Sequence, residues 1–425
     1  MKLTKCRIGD YIKDVASGPF GSNLKVECFV PSGFPIIDGA NLTGLKVTDN
    51  ITKFVTEAKA RSLSRSIAKR HDVIVTISGT LGQISYIPND SKYEEYLCSQ
   101  RQFRVTFDES KVCVEYLVNL LRTPYGQRKI LAFANYVGVP ALAQPIPNFK
   151  NIEVYLPDLP TQLRIAGALG SIDEKIELNR KKIAELEALA KTIYDYWFVQ
   201  FDFPDKNGKP YKSSGGKMVW NGQLKREVPE GWGMGTIGEL GEIVSGGTPS
   251  TSNADYWSSK GIAWITPKDL SVTSNKYIRH GEHDISENGL LNSSAQLMPR
   301  KSVLLSTRAP IGYIAVADCD LCTNQGFKSI IPNKSFGSEF IYYTVSTMIP
   351  FVKTLGVGST FAEVSKRSLS SVQLIIPPLQ VCDRFDDVVS SIGNERLIGE
   401  LEIENLAELR DALLPLLMNG QVVVG

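Results

Sequence analysis

A chain of 425 residues is well past the size at which one hydrophobic core stops growing, so two or three domains are expected. Its 43% hydrophobic and 22% charged residues fit a globular protein, and a formal charge of +2 neither demands nor excludes nucleic acid, because a local basic face can sit on a neutral whole. The absence of an apolar run of about 18 residues excludes a transmembrane helix. The start, MKLTKCRIGDYIKD, lacks the apolar core of a signal peptide, and the seven cysteines are odd in number and scattered, so a cytoplasmic protein with reduced thiols is expected.

Residues 1–158 form a first globe dominated by short apolar runs: Pro35–Ile37, Val73–Ile77, Ile84–Ile87, Phe103–Phe107 and Ile152–Leu156. Gly, Pro, Asn and Ser bound them, which predicts strands of a β-rich α+β domain. Helices are predicted over Thr56–Lys69 and Val114–Ile130. On the first, Arg61, Arg65 and Lys69 recur every four residues with Arg70 beside them. Such a ladder suits DNA phosphates, and it equally describes a solvated helix face. The turns Ser78-Gly79-Thr80-Leu81-Gly82-Gln83 and Gln100-Arg101-Gln102 carry short donors, amides and an arginine. Side chains of this kind read base edges in a major groove or close a structural turn.

Residues 159–200 form a long helix. Ile165, Leu169, Ile172, Ile176, Asn179, Ile183, Leu186, Ala190, Ile193 and Trp197 follow steps of four and three, a heptad seam flanked by charge. Thr161 is its predicted N-cap. At roughly 37 residues it is about 55 Å long. It cannot bury its stripe alone and needs a partner helix. Residues 201–232, rich in Gly, Pro, Lys and Ser, read as a linker packed on the surface.

The second globe, 233–378, repeats the first. Gly33 through Leu42 aligns with Gly261 through Leu270, Asp72 through Gly82 with Ser302 through Gly312, Leu97 through Phe103 with Leu321 through Phe327, and Val154 through Leu159 with Leu374 through Leu379. Four ordered anchors with a slowly drifting offset mark an internal duplication. The second globe's helices are predicted over Ser286–Leu297 and Glu339–Met348. Its candidate DNA-contacting residues are Thr307 and Arg308, in a loop that equally suits a structural turn, and Asn324 and Gln325, whose amides could bond adenine edges but better suit closing a buried turn, with Lys268, Lys328 and Lys366 as weaker ones. The last offset carries the seam onto Phe385, Val389, Ile392, Arg396, Gly399, Ile403, Leu406, Arg410, Leu413 and Leu417, which places the partner helix within 379–425. Arg396 and Gly399 interrupt the stripe, and a glycine costs about 1 kcal/mol of helix propensity, so a kink or loosening is expected there. Asn179, the residue that aligns with Gly399, either fixes the register or marks a partly wet layer. The tail Gln421–Val424 is a candidate strand. If the helices pair antiparallel, two related modules become suited to two separated half-sites on DNA.

Catalytic motifs are missing. The only Pro-Pro, Pro377-Pro378, lacks the Asn/Asp and aromatic neighbours of an adenine methyltransferase loop, and no G-x-x-x-x-G-K-[ST] occurs. Asp38, Glu57 and Lys59 make a weak nuclease triplet, Cys319 and Cys322 a lone pair, and His280 and His283 an ordinary surface pair, so no metal site is assigned.

Several runs together resemble the specificity subunit of type I restriction-modification systems: SGPFGSNL with PIIDGANL, PDLPTQLRIA with Ile172-Asp173, YWF into FDFP, SGGTPSTSNADYW with AWITPKDL, VGSTFAEVSK, and LRDALLPLLMNG. The resemblance spans essentially the whole chain. One departure is PLQVCDRF, where an acidic residue and Gln usually follow the proline. The resemblance implies an α+β fold of two target-recognition domains in tandem repeat and an antiparallel coiled coil of two long helices. It implies a non-catalytic subunit that reads a bipartite, asymmetric site on double-stranded DNA and docks two methyltransferase subunits and the motor-nuclease subunits. S-adenosylmethionine, ATP and Mg belong to those partners, and this chain is expected to bind no cofactor. The rival readings are a self-contained DNA endonuclease and a structural coiled-coil scaffold.

Overall fold

The computed structural model describes residues 2–273, 275–358 and 362–422. The chain divides into two compact units, Met1–Ile176 with Glu404–Gly425, and Glu177–Ile403. The division falls within both long helices.

In the first unit an antiparallel sheet orders Ile12–Ser17, Gln102–Phe107, Val73–Thr76 and Ile84–Tyr86. Every residue of Val73–Thr76 is buried, which explains a continuous apolar run where a half-exposed strand would alternate. Val73, Val75, Phe103 and Val105 pack on Tyr116, Leu117, Leu120 and Leu121. Phe34–Ile37 runs parallel to Glu95–Cys98 in a neighbouring sheet, and Thr4–Arg7 pairs with Glu153–Leu156. The second unit has the same plan. Gly241–Ser245, Lys328–Pro332, Val303–Thr307 and Ile311–Ala317 follow one another in that order, with Tyr277–Ile278 at the edge. Ile262–Ile265 runs parallel to Leu321–Thr323, and Gly233–Thr236 pairs with Gln373–Ile376.

Several expected elements differ. The helix expected over Thr56–Lys69 stops at Ser62; Ser64–Ser66 is a 3-10 turn and Ile67–Lys69 a strand. Ile67 and Ala68 are drawn into the ladder opposite Leu97 and Tyr96, where both are buried. The helix expected over Val114–Ile130 is two helices, Val114–Arg122 and Pro124–Leu131. Pro124 has no N–H to continue the first and is pre-set to begin the second, which the Thr123 hydroxyl caps by accepting from Gly126 N at 3.2 Å. Ser286–Leu297 contracts to Glu287–Leu291, and Glu339–Met348 lengthens to Ser338–Thr354, running through Pro350. The expected surface linker is not superficial. Phe201, Phe203 and Trp232 are buried in the second unit's core, and Met218–Asn221 pairs with Arg226–Pro229 as a hairpin. Gln421 and Val422 form no strand; the rest of the proposed tail strand lies outside the described residues.

The long helices are Leu159–Tyr194, extended by a π-helical turn at Asp195–Val199, and Leu379–Met418. The first begins before Thr161. Asp158 takes the capping role, its side chain accepting from Thr161 N at 3.0 Å, and Pro160 is tolerated in a first turn that has no N–H partner to lose. All twenty seam positions are buried or half-buried. Within the first unit, Ile165 and Leu169 share a cluster with Leu417 and Met418, and Arg410 pairs with Asp173 at 2.9 Å. Within the second, Asn179 donates to Glu402 at 2.8 Å, Lys182 pairs with Glu395 at 2.7 Å, and Arg396 meets Glu187. Along the seam of the second unit, Asn179, Ile183 and Glu187 of the first helix lie against Glu402, Gly399 and Arg396 of the second. Gly399 does not loosen the second helix. A Cβ there would lie 3.2 Å from Ile183 Cγ1, so the glycine makes room for the Ile183 side chain. Asn179 is buried and bonded across the seam.

Candidate nucleic-acid interface

In the first unit, turn tips that are distant in sequence meet at the end of the sheets. The turn between Val73–Thr76 and Ile84–Tyr86 carries Ser78 and Thr80, and the turn after Glu95–Cys98 carries Gln100 and Arg101. Ile77 N donates to Arg101 O at 2.7 Å, locking one tip to the other. A third tip comes from the Ser17–Asn23 stretch. Gly18 N donates to Gln102 O at 2.8 Å, and a Cβ on Gly18 would stand 1.9 Å from Ser99 O, so only glycine fits. A fourth is the turn between Ala134–Asn135 and Ala141–Leu142, held by Gly79 N donating to Pro140 O at 2.9 Å.

The first two tips border an open groove of about 580 Å³. Ser78, Thr80, Gln100 and Arg101 line it beside Asp38 and Lys53, with Leu24, Val26 and Phe29 as an apolar flank. Arg101 and Gln100 are exposed, and the Arg101 side chain has no ion-pair partner among the described residues. Gln83 and Gln102 also border the groove but are committed internally. Gln83 donates to Gly39 O at 2.9 Å and accepts from Thr76 Oγ1 at 3.0 Å, while Gln102 is 1% exposed and accepts from Ser99 Oγ. Both hold the groove's floor.

The basic ladder is not assembled as expected. Arg61, Arg65 and Lys69 lie on three different elements and share no helix face. Arg61 pairs with Glu95 at 2.6 Å and Glu57 at 2.8 Å, and Lys69 with Glu95 at 3.4 Å. Hydrogen bonds to Glu95 and Glu57 hold the Arg61 guanidinium above its ordinary pKa; at Glu95, burial is outweighed by these two cations and the carboxyl titrates lower than usual. Arg70 donates to Ser91 O at 3.2 Å. Arg65 is exposed, and its carbonyl accepts from Arg104 Nε at 3.0 Å.

The second unit builds the same constellation with other side chains. Thr307 N donates to Gly326 O at 2.7 Å, Val364 N to Thr307 O at 3.0 Å, and Gly246 sits 1.9 Å (as a Cβ) from Asn324 O, the counterpart of Gly18. Arg308 is bridged to Glu363, beyond Val357-Gly358 in the chain, as Ser78 is to Ala141, beyond Val137-Gly138. Gln325 is exposed and accepts from the Thr248 hydroxyl; Asn324 closes its own turn by accepting from Gly326 N at 2.9 Å, and Thr307 is fully buried. Lys328 is 8% exposed and bonded to Glu363 at 3.2 Å, an internal pair. Lys268 is exposed and paired with Glu282, and Lys366 is exposed at the start of Lys366–Ser370.

Sequence reasoning missed the turn at 135–141, whose Tyr136, Val137 and Val139 are strongly exposed. The signal was present: Val137-Gly138 and Val357-Gly358 share the 220-residue offset that relates Pro157 to Pro377, and both glycines have positive φ. All seven cysteines are free, and among the described residues no group of three or more His, Cys, Asp or Glu side chains is placed to hold a metal ion. No described helix is long and apolar enough to cross a membrane.

Two α+β units, in which equivalent turn tips are locked together around polar side chains, define a duplicated recognition protein. Residues 31–188 and 229–402 each match the model of the type I restriction modification DNA specificity domain, and the chain belongs to that family. It is 25% identical over 413 residues to the HindI specificity subunit of Haemophilus influenzae, covering 84% of this chain and 88% of that one. It is 37% identical over 197 residues to the MjaIX specificity subunit of Methanocaldococcus jannaschii; that similarity spans 43% of this chain and 45% of the relative, less than half of each protein. The fold is similar to the crystal structure of a type I restriction-modification S subunit from M. genitalium, with a TM-score of 0.63 at 15% identity, covering 98% of this chain and 96% of that one.

Proposed function

We propose that the chain is the non-catalytic specificity subunit of a type I restriction-modification complex in the cytoplasm, reading a bipartite, asymmetric site on double-stranded DNA. The observation that carries this reading is the twice-built tip constellation with unlike side chains. Ser78, Thr80, Gln100 and Arg101 occupy one copy, and Arg308 and Gln325 the other. Equivalent scaffolds with different donors and acceptors read different bases, so the two half-sequences differ.

The paired long helices set the number of base pairs between the halves, as an antiparallel coiled coil of fixed length. They also dock two copies of an adenine methyltransferase partner, to which the motor-nuclease subunits are added. Exposed Leu178 and Leu189 on one helix, and Ile398 and Leu409 at the same offset of 220 on the other, support two equivalent docking faces. S-adenosylmethionine, ATP and Mg serve the partners. Methylome sequencing with the gene present and deleted tests the reading: one split, adenine-methylated motif disappears on deletion, and its persistence would overturn the assignment. Inserting one heptad into both helices should change the spacer and leave the half-sequences alone.

A further inference from the structure

Inside the second unit a charged cluster, buried except for a half-buried Glu187, lies between the globe and both long helices. Lys276, 2% exposed, meets Glu339 of Ser338–Thr354 and lies 4.3 Å over each of the Tyr342 and Tyr343 rings. Tyr277 donates its hydroxyl to Glu339 at 2.9 Å. From the second long helix, Glu400 accepts the backbone N–H groups of Lys276 and Tyr277 at 3.0 and 3.3 Å, and Arg396 donates to Glu400 at 2.7 Å. From the first long helix, Glu187 takes the Tyr343 hydroxyl at 3.0 Å and meets Arg396. A Cβ on Gly393 would stand 2.2 Å from the Tyr277 hydroxyl oxygen, so the helix backbone is pressed against the globe's edge strand.

Burial of charge on this scale is a poor source of stability, because desolvation offsets the Coulombic gain; what it imposes is direction. Burial works against the Lys276 ammonium and lowers its pKa, and at Arg396 it is outweighed by Glu400 and Glu187. A seat made of oriented hydrogen bonds has one angular setting. An apolar seat has a broad one, because burial is indifferent to direction. The first unit's contact with its helix segments is mostly of that second kind: Leu45, Leu413, Leu414, Leu417 and Met418 join one apolar cluster, with a buried bond from Cys113 N to Gln162 Oε1 at 2.9 Å beside it and no charge cluster like that around Lys276 among the described residues.

We propose that Lys276, Glu339, Arg396, Glu400 and Glu187 are positioning residues that fix the angular seat of the second recognition globe on its helices, and so make the complex intolerant of a spacer of the wrong length. The inference rests on the DNA-reading function proposed above. Each added base pair turns a half-site by about 34° around the duplex axis, so accepting it requires the globe to swivel through a comparable angle. The buried bonds forbid that swivel.

The test uses the full chain with its methyltransferase partner and a plasmid library carrying the two half-sequences at stepped spacers. The double variant Lys276→Met with Glu339→Gln removes the charge pair while Gln keeps an acceptor for Tyr277. Methylation at spacers one base pair too long or too short should rise about tenfold relative to wild type, equivalent to about 1.4 kcal/mol of lost discrimination. The half-sequences should be unchanged. An unaltered spacer profile from a folded double variant, or altered half-sequences, would overturn the proposal. If the double variant does not accumulate, Tyr343→Phe deletes only the hydroxyl bonded to Glu187; a smaller relaxation of the same profile is then required, and none would sink the idea. Failure of the wild-type complex to methylate any split site would instead overturn the functional reading beneath it.

Discussion

The two units share a strand order but are attached to their helices in different ways. In the first, Ile165 and Leu169 meet Leu417 and Met418 in a continuous apolar core, with Arg410 and Asp173 at its margin. In the second, an aromatic cluster in which Phe198 and Phe385 rings lie 5.0 Å apart is joined by the sealed charges around Lys276 and Arg396. A duplicated scaffold has thus kept its hydrogen-bonding topology while its attachments diverged. The lesson is that main-chain pairing constrains a repeat more strongly than the chemistry of its contacts does, because many side-chain sets fill one volume and few strand orders satisfy one backbone.

The contrast is sharpest for single substitutions at the two attachments. Lys276→Met alone leaves Glu339 buried without its cation and should cost about 3–5 kcal/mol. Hydrogen exchange should show faster opening of Ser338–Thr354, with the first unit's amides unchanged; adding Glu339→Gln should recover much of the loss. Leu169→Ala should cost about 2–5 kcal/mol with no such rescue, and faster exchange should appear in Val114–Arg122. Equal rescue at both sites would erase the distinction.

At the recognition tips, Arg101→Ala should weaken binding of the complex to its site by about 1–3 kcal/mol and relax sequence preference in one half only, read by competition with base-substituted duplexes. Gln325→Ala should act on the other half; effects on both halves from either change would break the assignment of one half-site per unit. The smallest effect is expected at Arg61. Its side chain is already shared by Glu57 and Glu95, so Arg61→Ala should leave the salt dependence of DNA binding unchanged. A shallower slope of affinity against salt would restore Arg61 as a phosphate contact.

What could be read from the sequence was whatever is periodic or repeated. The heptad seam located both long helices, the second observed at Leu379–Met418 within the expected 379–425, because covering an apolar stripe requires a partner helix. The ordered anchors located equivalent strands, since a pleat buried on both faces spells a run such as Val73–Ile77 with little freedom. The ladder at Arg61, Arg65 and Lys69 misled because helical spacing is only a local signal. Ile67 and Ala68 gain more from pairing with Leu97 and Tyr96, nearly thirty residues on, than from another helical turn.

The amino-acid sequence by itself determined the duplication, the two long helices and the polar character of the turns, because each depends on the order of residue types along the chain. Only the tertiary structure decided which polar residues are available. Gln102 is buried and bonded to Ser99, and Thr307 and Lys328 are consumed by Gly326 and Glu363, remote in sequence, whereas Arg101 and Gln325 stand exposed at the tips. Availability depends on burial and on competing partners, and both are set by where the chain returns in space.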